Sequence, residues 1–149
     1  MKTRNKLMLA VALAAFTLAA MASADAKWLT SYDKAVKLSK KSGKPILADF
    51  TGSDWCSWCK KLKAEVFDTA GFKKWAEKNV ILLELDFPRS KALPAALKAQ
   101  NQGLAQKYAI RGYPTVLFLK ADGSVIGKSG YMPGGPSAWV QNAVEQFKN

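Results

Sequence analysis

Cys56 and Cys59 are the only cysteines in this 149-residue chain. They stand three positions apart in the stretch GSDWCSWCKKL, each directly preceded by a tryptophan, Trp55 or Trp58. Such a pair has three chemical uses: a structural staple, part of a metal site, or a working dithiol. A structural zinc site asks for four Cys or His ligands, and this chain has two cysteines and no histidine, so only a site shared between chains would serve. A staple across so short a loop removes little entropy from the unfolded chain. The dithiol reading needs the pair at the junction of a strand and a helix, where the helix's first N–H groups and positive dipole end stabilise a thiolate. In that reading Cys56 is the nucleophile, aided by the positive field of Lys60 and Lys61. Cys59, one turn further on, is the resolving thiol.

The surrounding pattern supplies that junction. ILADF, Ile46 to Phe50, reads as a buried strand, and beyond Cys59 the spacing of Leu62, Val66 and Phe67 is helical. VILLELD, Val80 to Asp86, is a second buried strand, so the two form a βαβ unit with parallel strands. Before it, Ser31 caps a helix that ends at Gly43. Between the strands, Asp68 is expected to cap a second helical piece that buries Phe72, Trp75 and Ala76. Phe87 to Asn101 reads as a loop feeding a helix that starts at Pro94 or just after and runs on through Leu104, Ala105 and Tyr108. A strand from Thr115 to Leu119, a turn at Ala121-Asp122-Gly123 and a short strand around Val125 form a hairpin. Ser137 to Phe147 closes the chain as a helix with Trp139, Val140, Ala143, Val144 and Phe147 inward.

Residues 1–24 stand apart. Lys2, Arg4 and Lys6 precede an apolar run from Leu7 to about Met21 and then small residues, the pattern of a secretory signal peptide cleaved after Ala24 or Ala26. The alternative, an uncleaved anchor, is disfavoured because the run falls short of the roughly 20 residues a spanning helix needs. Residues 27–149 are then one domain in a periplasmic or secreted setting, where disulfides persist. Removing Lys2, Arg4, Lys6 and Asp25 leaves 20 basic against 10 acidic residues, net +10. The lysines are dispersed, with no arginine block and no nucleic-acid motif, so a solvated surface is the reading and no nucleic-acid partner is expected.

The stretches ILADFTGSDWCSWCKKL, VILLELDFP and LAQKYAIRGYPTVLFLKADGSVI resemble the thioredoxin superfamily in order and spacing across nearly all of residues 27–149. They are most similar to exported bacterial thioredoxin-like proteins and to the thioredoxin-like domain of transmembrane disulfide reductases. The resemblance implies a thioredoxin fold of the α/β class, a central mixed β-sheet flanked by α-helices. It also implies a Cys56-Cys59 redox pair with no cofactor and no metal. In that family the proline before a central strand is cis, and the residue before it offers its backbone to substrate. Pro114, between Tyr113 and Thr115, matches that proline; read from the residues alone, a trans proline opening a strand is equally possible. The family's buried acid corresponds to Asp49, whose pKa burial would raise and which could take the proton of Cys59; its bland counterpart is a solvated, loop-facing aspartate. Trp55 and Trp58 are either core aromatics or, with Tyr113, Pro114 and Thr115, contacts for substrate polypeptide.

Three departures from the family pattern stand out. The loop from Asp49 to Cys56 is one residue longer, Glu84 replaces a lysine often paired with the buried acid, and the dipeptide between the cysteines is Ser57-Trp58. That dipeptide matches neither reducing nor oxidising relatives, so the direction of electron flow stays open. The expectation is an exported thiol-disulfide oxidoreductase, leaning to reductase. It acts as a monomer on disulfide-containing or dithiol proteins, and a membrane electron donor is implied. The alternatives are a dithiol oxidase, a secreted binding or chaperone-like module with an inert bridge, and a binder of anionic surfaces.

Overall fold

The computed structural model describes residues 26–147; residues 1–24, read from the sequence as a signal peptide, lie outside them. In chain order the elements are α1 (Tyr32–Ser42), β1 (Ile46–Thr51), α2 (Ser57–Leu62), a π-helical turn (Lys63–Phe67), α3 (Ala70–Asn79), β2 (Ile81–Asp86), α4 (Ala95–Lys107), β3 (Thr115–Leu119), β4 (Val125–Ser129) and α5 (Gly135–Gln146). The sheet order is β2-β1-β3-β4. β1 and β2 are parallel, as a βαβ unit requires, whereas β3 runs antiparallel to both β1 and β4. Leu29 adds a bridge beside Leu83 on the outer side of β2, so residues near the start of the domain cover that edge.

Period-two alternation along β1 decides which side chains meet the active loop. Ile46, Ala48 and Phe50 enter one core with Leu83, Leu85, Leu104, Leu117 and Leu119, under α1 and α4. Leu47 enters the other with Leu62, Val66, Phe67, Phe72, Leu82, Phe118 and Trp139, under α2, α3 and α5. Asp49 and Thr51 share the face of Leu47, as Glu84 shares that of Leu82, and so β1 and β2 carry carboxylates toward α2.

The sequence places the helix boundaries closely, with three corrections. Ser31 caps α1, its side chain accepting from Lys34 N, and Gly43 ends it in the left-handed region at φ 73°. Asp68, however, does not cap α3. Its backbone is helical, and its carboxylate is taken by Lys63 Nζ at 2.6 Å. Thr69 has the extended backbone a cap needs and accepts Phe72 N. The helix after Cys59 is also not a continuous α-helix: Asp68 N reaches Lys63 O at 2.8 Å, which makes the turn from Lys63 to Phe67 π-helical. α5 starts at Gly135, two residues ahead of the expected Ser137, with Pro136 in its first turn.

Candidate active site

β1 delivers the chain to Gly52, whose carbonyl accepts from Cys56 N at 2.9 Å and Trp55 N at 3.3 Å, folding the five residues before α2 into a turn. Cys56 has extended backbone and is the N-cap of α2, with its Sγ accepting from Cys59 N at 3.2 Å. The two cysteines form a disulfide with Cα atoms 5.2 Å apart. Both are buried, Cys56 6% and Cys59 4% exposed. The head of α2 therefore directs the N–H of Cys59 at the sulfur of Cys56, the arrangement that favours thiolate over thiol. The two lysines expected to add positive field diverge. Lys60 Nζ turns back to the carbonyl of Asp54 at 3.2 Å, while Lys61 Nζ lies over the rings of Trp58 and Tyr131, 5.2 and 5.1 Å from their centroids.

Behind the disulfide lies a pocket of about 170 Å³ whose lining includes Cys59, Asp49, Glu84, Lys63, Phe67 and Trp28. Asp49 sits in mid-strand, 6% exposed, and is not the solvated aspartate of the alternative reading. Its Oδ1 has no hydrogen-bond partner among the described residues. Burial first, and then the negative charges of Glu84 and Asp86, push its pKa from the ordinary 3.8 to about 8. Glu84 is the register partner of Asp49 on β2, and its own pKa is raised by burial and then by Asp86. The acid in the place of the family's lysine thus adds to the charge cost.

The aromatic residues fall into two roles. Trp55 is built in: its Nε1 donates to Phe87 O at 2.7 Å, its ring meets Tyr113 edge-on at 5.8 Å, and the Arg89 guanidinium stacks 3.8 Å from its centroid. Gly52 makes room for it, since a Cβ there would lie 2.5 Å from Trp55 Cε2. Trp58, by contrast, is 55% exposed and leans on Tyr131 with centroids 5.0 Å apart. Tyr113 packs its ring on Phe87 and is followed by a cis peptide bond to Pro114. Thr115 opens β3 opposite Phe50, its hydroxyl donating to Gly112 O at 2.7 Å.

Sequence reasoning missed the groups that frame this loop. Asp54 and Asp86 hold it from the front, Arg89 covers Trp55, and Tyr131 donates to Glu65 Oε2 at 2.8 Å beneath Trp58. The only available signal was the density of Asp, Ser and Gly just before the cysteines, because Asp54, Arg89 and Tyr131 lie outside the regular elements and Asp86 is the last residue of β2. Among the described residues no group of His, Cys, Asp or Glu is placed to hold a metal ion.

Comparison with known proteins agrees with this geometry. The family model described as "Thioredoxin-like domain" matches residues 32–143. The chain is 35% identical over 128 residues to the disulfide bond reductase DsbH of Chlamydia pneumoniae, covering 86% of this chain and 76% of that one. A solved structure of DsbH oxidoreductase superposes with a TM-score of 0.80 at 32% identity, over 98% of this chain and 95% of that chain. A more distant likeness, 29% identity over 98 residues, is to the thiol:disulfide interchange protein DsbD of Ralstonia nicotianae; it takes in 66% of this chain but 15% of DsbD. The chain belongs to the thioredoxin-like family, and its cysteine pair at the head of α2 makes it a thiol-disulfide oxidoreductase.

Proposed function

We propose that the protein is an exported reductase that uses Cys56 and Cys59 to reduce disulfides in other extracytoplasmic proteins. The observation that carries the direction is the 35% identity, over most of the chain, to a protein named a disulfide bond reductase. The signal-like segment before Ala24 supports a periplasmic or secreted setting.

In the reduced protein the Cys56 thiolate attacks one sulfur of a substrate disulfide. A Cys56–substrate bond forms, and the other substrate sulfur leaves as a thiolate that takes up a proton. Cys59 then gives its proton to the Asp49 carboxylate, which lines the same pocket, and attacks Cys56 Sγ. The Cys56–Cys59 bond forms, the second substrate thiolate departs, and the proton held by Asp49 balances its charge. Two electrons have moved from the protein to the substrate. The resulting disulfide is the state seen in the structure, and a membrane dithiol donor returns it to the reduced form. Burial suits Asp49 to this task, because a carboxyl with pKa near 8 both accepts and releases a proton near neutral pH. Trp58, exposed beside the cysteines, offers an apolar contact to substrate polypeptide, with the backbone of Tyr113 ahead of cis Pro114 as the strand-like partner. Trp55, Pro114 and Thr115 shape this surface from below.

The test is the equilibrium of the pair against glutathione buffers, with free thiols trapped by alkylation. A potential near the roughly −270 mV of thioredoxins is expected, whereas one near the roughly −120 mV of strong oxidants would make the protein a disulfide donor. A bridge that resists mild reductant altogether would reduce the site to a staple.

A further inference from the structure

The segment between β2 and α4 begins by closing over the loop that leads to Cys56. Asp86, at the end of β2, accepts from Ser53 N at 2.9 Å and from Ser53 Oγ at 2.6 Å. Phe87 O accepts from the indole of Trp55. Between these two bonds stands Asp54, whose carboxylate accepts from Arg89 N at 2.9 Å and from Ser90 N at 2.7 Å. The carbonyl of the same residue accepts from Lys60 Nζ on α2. Asp54 is half-buried, and these bonds make no contribution to a core, yet they join three pieces of chain immediately in front of the reactive sulfur.

We propose that Asp54 is a positioning residue for Cys56, tying the loop to the Arg89–Ser90 backbone so that the sulfur is held at the head of α2. The proposal rests on the reading of Cys56 as the nucleophile. α2 has six residues, too few to fix its own first turn, so the sulfur's place over the N–H groups of the helix depends on what holds the residues before it. The hydrogen bonds and the charge of Asp54 act on Cys56 in opposite directions. The bonds keep the sulfur where the helix stabilises its thiolate, while a carboxylate two residues away disfavours that thiolate. Substitution separates the two effects, because Asn keeps one acceptor oxygen, at the position of the Oδ2 that reaches both Arg89 N at 3.2 Å and Ser90 N at 2.7 Å, and drops the charge, whereas Ala drops both.

The experiment is the pH profile of Cys56 alkylation in the reduced full chain, with the modified site identified by mass. Asp54→Asn is expected to lower the midpoint relative to the parent. Asp54→Ala is expected to lie about half a unit above Asp54→Asn, which is about threefold less thiolate at a pH below the midpoint. Identical midpoints in the two variants would overturn the positioning role and leave charge alone. If Asp54→Ala fails to fold, the amide signals of Arg89, Ser90 and Cys56 in the parent are followed against pH. All three moving with one midpoint below the ordinary carboxyl range supports the tie, and a stationary Cys56 amide overturns it. Alkylation of the parent at Cys59 ahead of Cys56 would overturn the nucleophile assignment itself, before any Asp54 variant is made.

Discussion

Asp49 behind the disulfide and Asp54 in front of it belong to one short stretch of chain and occupy opposite environments. Asp49 is buried in a pocket with a second acid, lacks a partner for Oδ1 among the described residues, and is driven to a pKa of about 8. Asp54 is half-buried at the surface, accepts two backbone N–H groups and is held below the usual carboxylate range by them. The first environment stores a proton at the pH where thiols exchange, and the second keeps a permanent charge and a fixed geometry. What separates them is the strand end. While the chain is still in β1 its alternate side chains must enter the core, whatever their chemistry; once past Gly52 it is free to meet solvent and the segment after β2.

The most direct way to break this comparison is Asp49→Asn, which removes the stored proton and leaves the front of the site untouched. Turnover at pH 7 is expected to fall roughly 10²-fold, as loss of a general base requires, with formation of the mixed disulfide retained and its release by Cys59 slowed. Stability should change in the other direction. Asp49 titrates at 3.8 in the ordinary case and at about 8 in the fold, so between those values the native state holds a proton that the unfolded chain has released. The stabilisation from Asp49 is full below the lower value, is lost as pH rises through about 8, and stays lost above. Asp49→Asn should therefore flatten the decline between pH 4 and 8 and be the more stable protein above it by roughly 1–3 kcal/mol. Denaturant melts across that range read this out, and an unchanged slope would place the titrating group elsewhere.

The front of the site is tested by Gly52→Ala. The added methyl would lie 2.5 Å from Trp55, a ring that cannot move freely because Phe87 O, Tyr113 and Arg89 hold it. The overpacking should cost roughly 1–3 kcal/mol, measured by denaturation, with a shift in tryptophan emission. The pH dependence assigned to Asp49 should survive in this variant. A loss of both together would mean that the two regions are one cooperative unit.

How much of this was visible in the residues differs between the same two regions. β1, α2 and the buried strand β2 follow from apolar runs and helical spacing, and period-two alternation along ILADF already sets Asp49 opposite to Phe50 and Ala48. The cysteine pair and the hairpin turn at Asp122-Gly123 were legible for the same reason, each being a local signal, whereas the cis state of Pro114 was expected only from the family resemblance. The Asp68 cap failed because two adjacent residues, Asp68 and Thr69, both suit the N-cap, and the choice was made by Lys63 one turn earlier in the chain. The ties of Ser53, Asp54 and Trp55 to residues 86–90 span more than 30 positions between irregular segments. No periodicity announces such contacts, and only the parallel pairing of β1 with β2, which ends with Thr51 beside Asp86, brings the two segments together.

Glu84→Gln makes the smallest change and the sharpest distinction, since it leaves the burial of Asp49 intact and removes one charge beside it. Burial is the main cause of the raised pKa of Asp49, and Glu84 is second. The substitution should accordingly lower the titration midpoint of Asp49 without returning it to the ordinary carboxyl value. The sign on stability follows from the same linkage. With a smaller gap between folded and unfolded values, less stability is lost as pH rises, and the lower end of the decline stays where the unfolded carboxyl titrates. Glu84 is itself raised by burial and by Asp86, so its removal also takes away a second group that binds its proton more tightly in the fold. Both effects make the variant less sensitive to alkali than the parent. Activity should keep its dependence on one raised group, with the profile displaced to lower pH. A midpoint that does not move would show that Glu84 is protonated alongside Asp49 across the working range and exerts no charge on it, leaving burial and the charge of Asp86 as the origin of the stored proton.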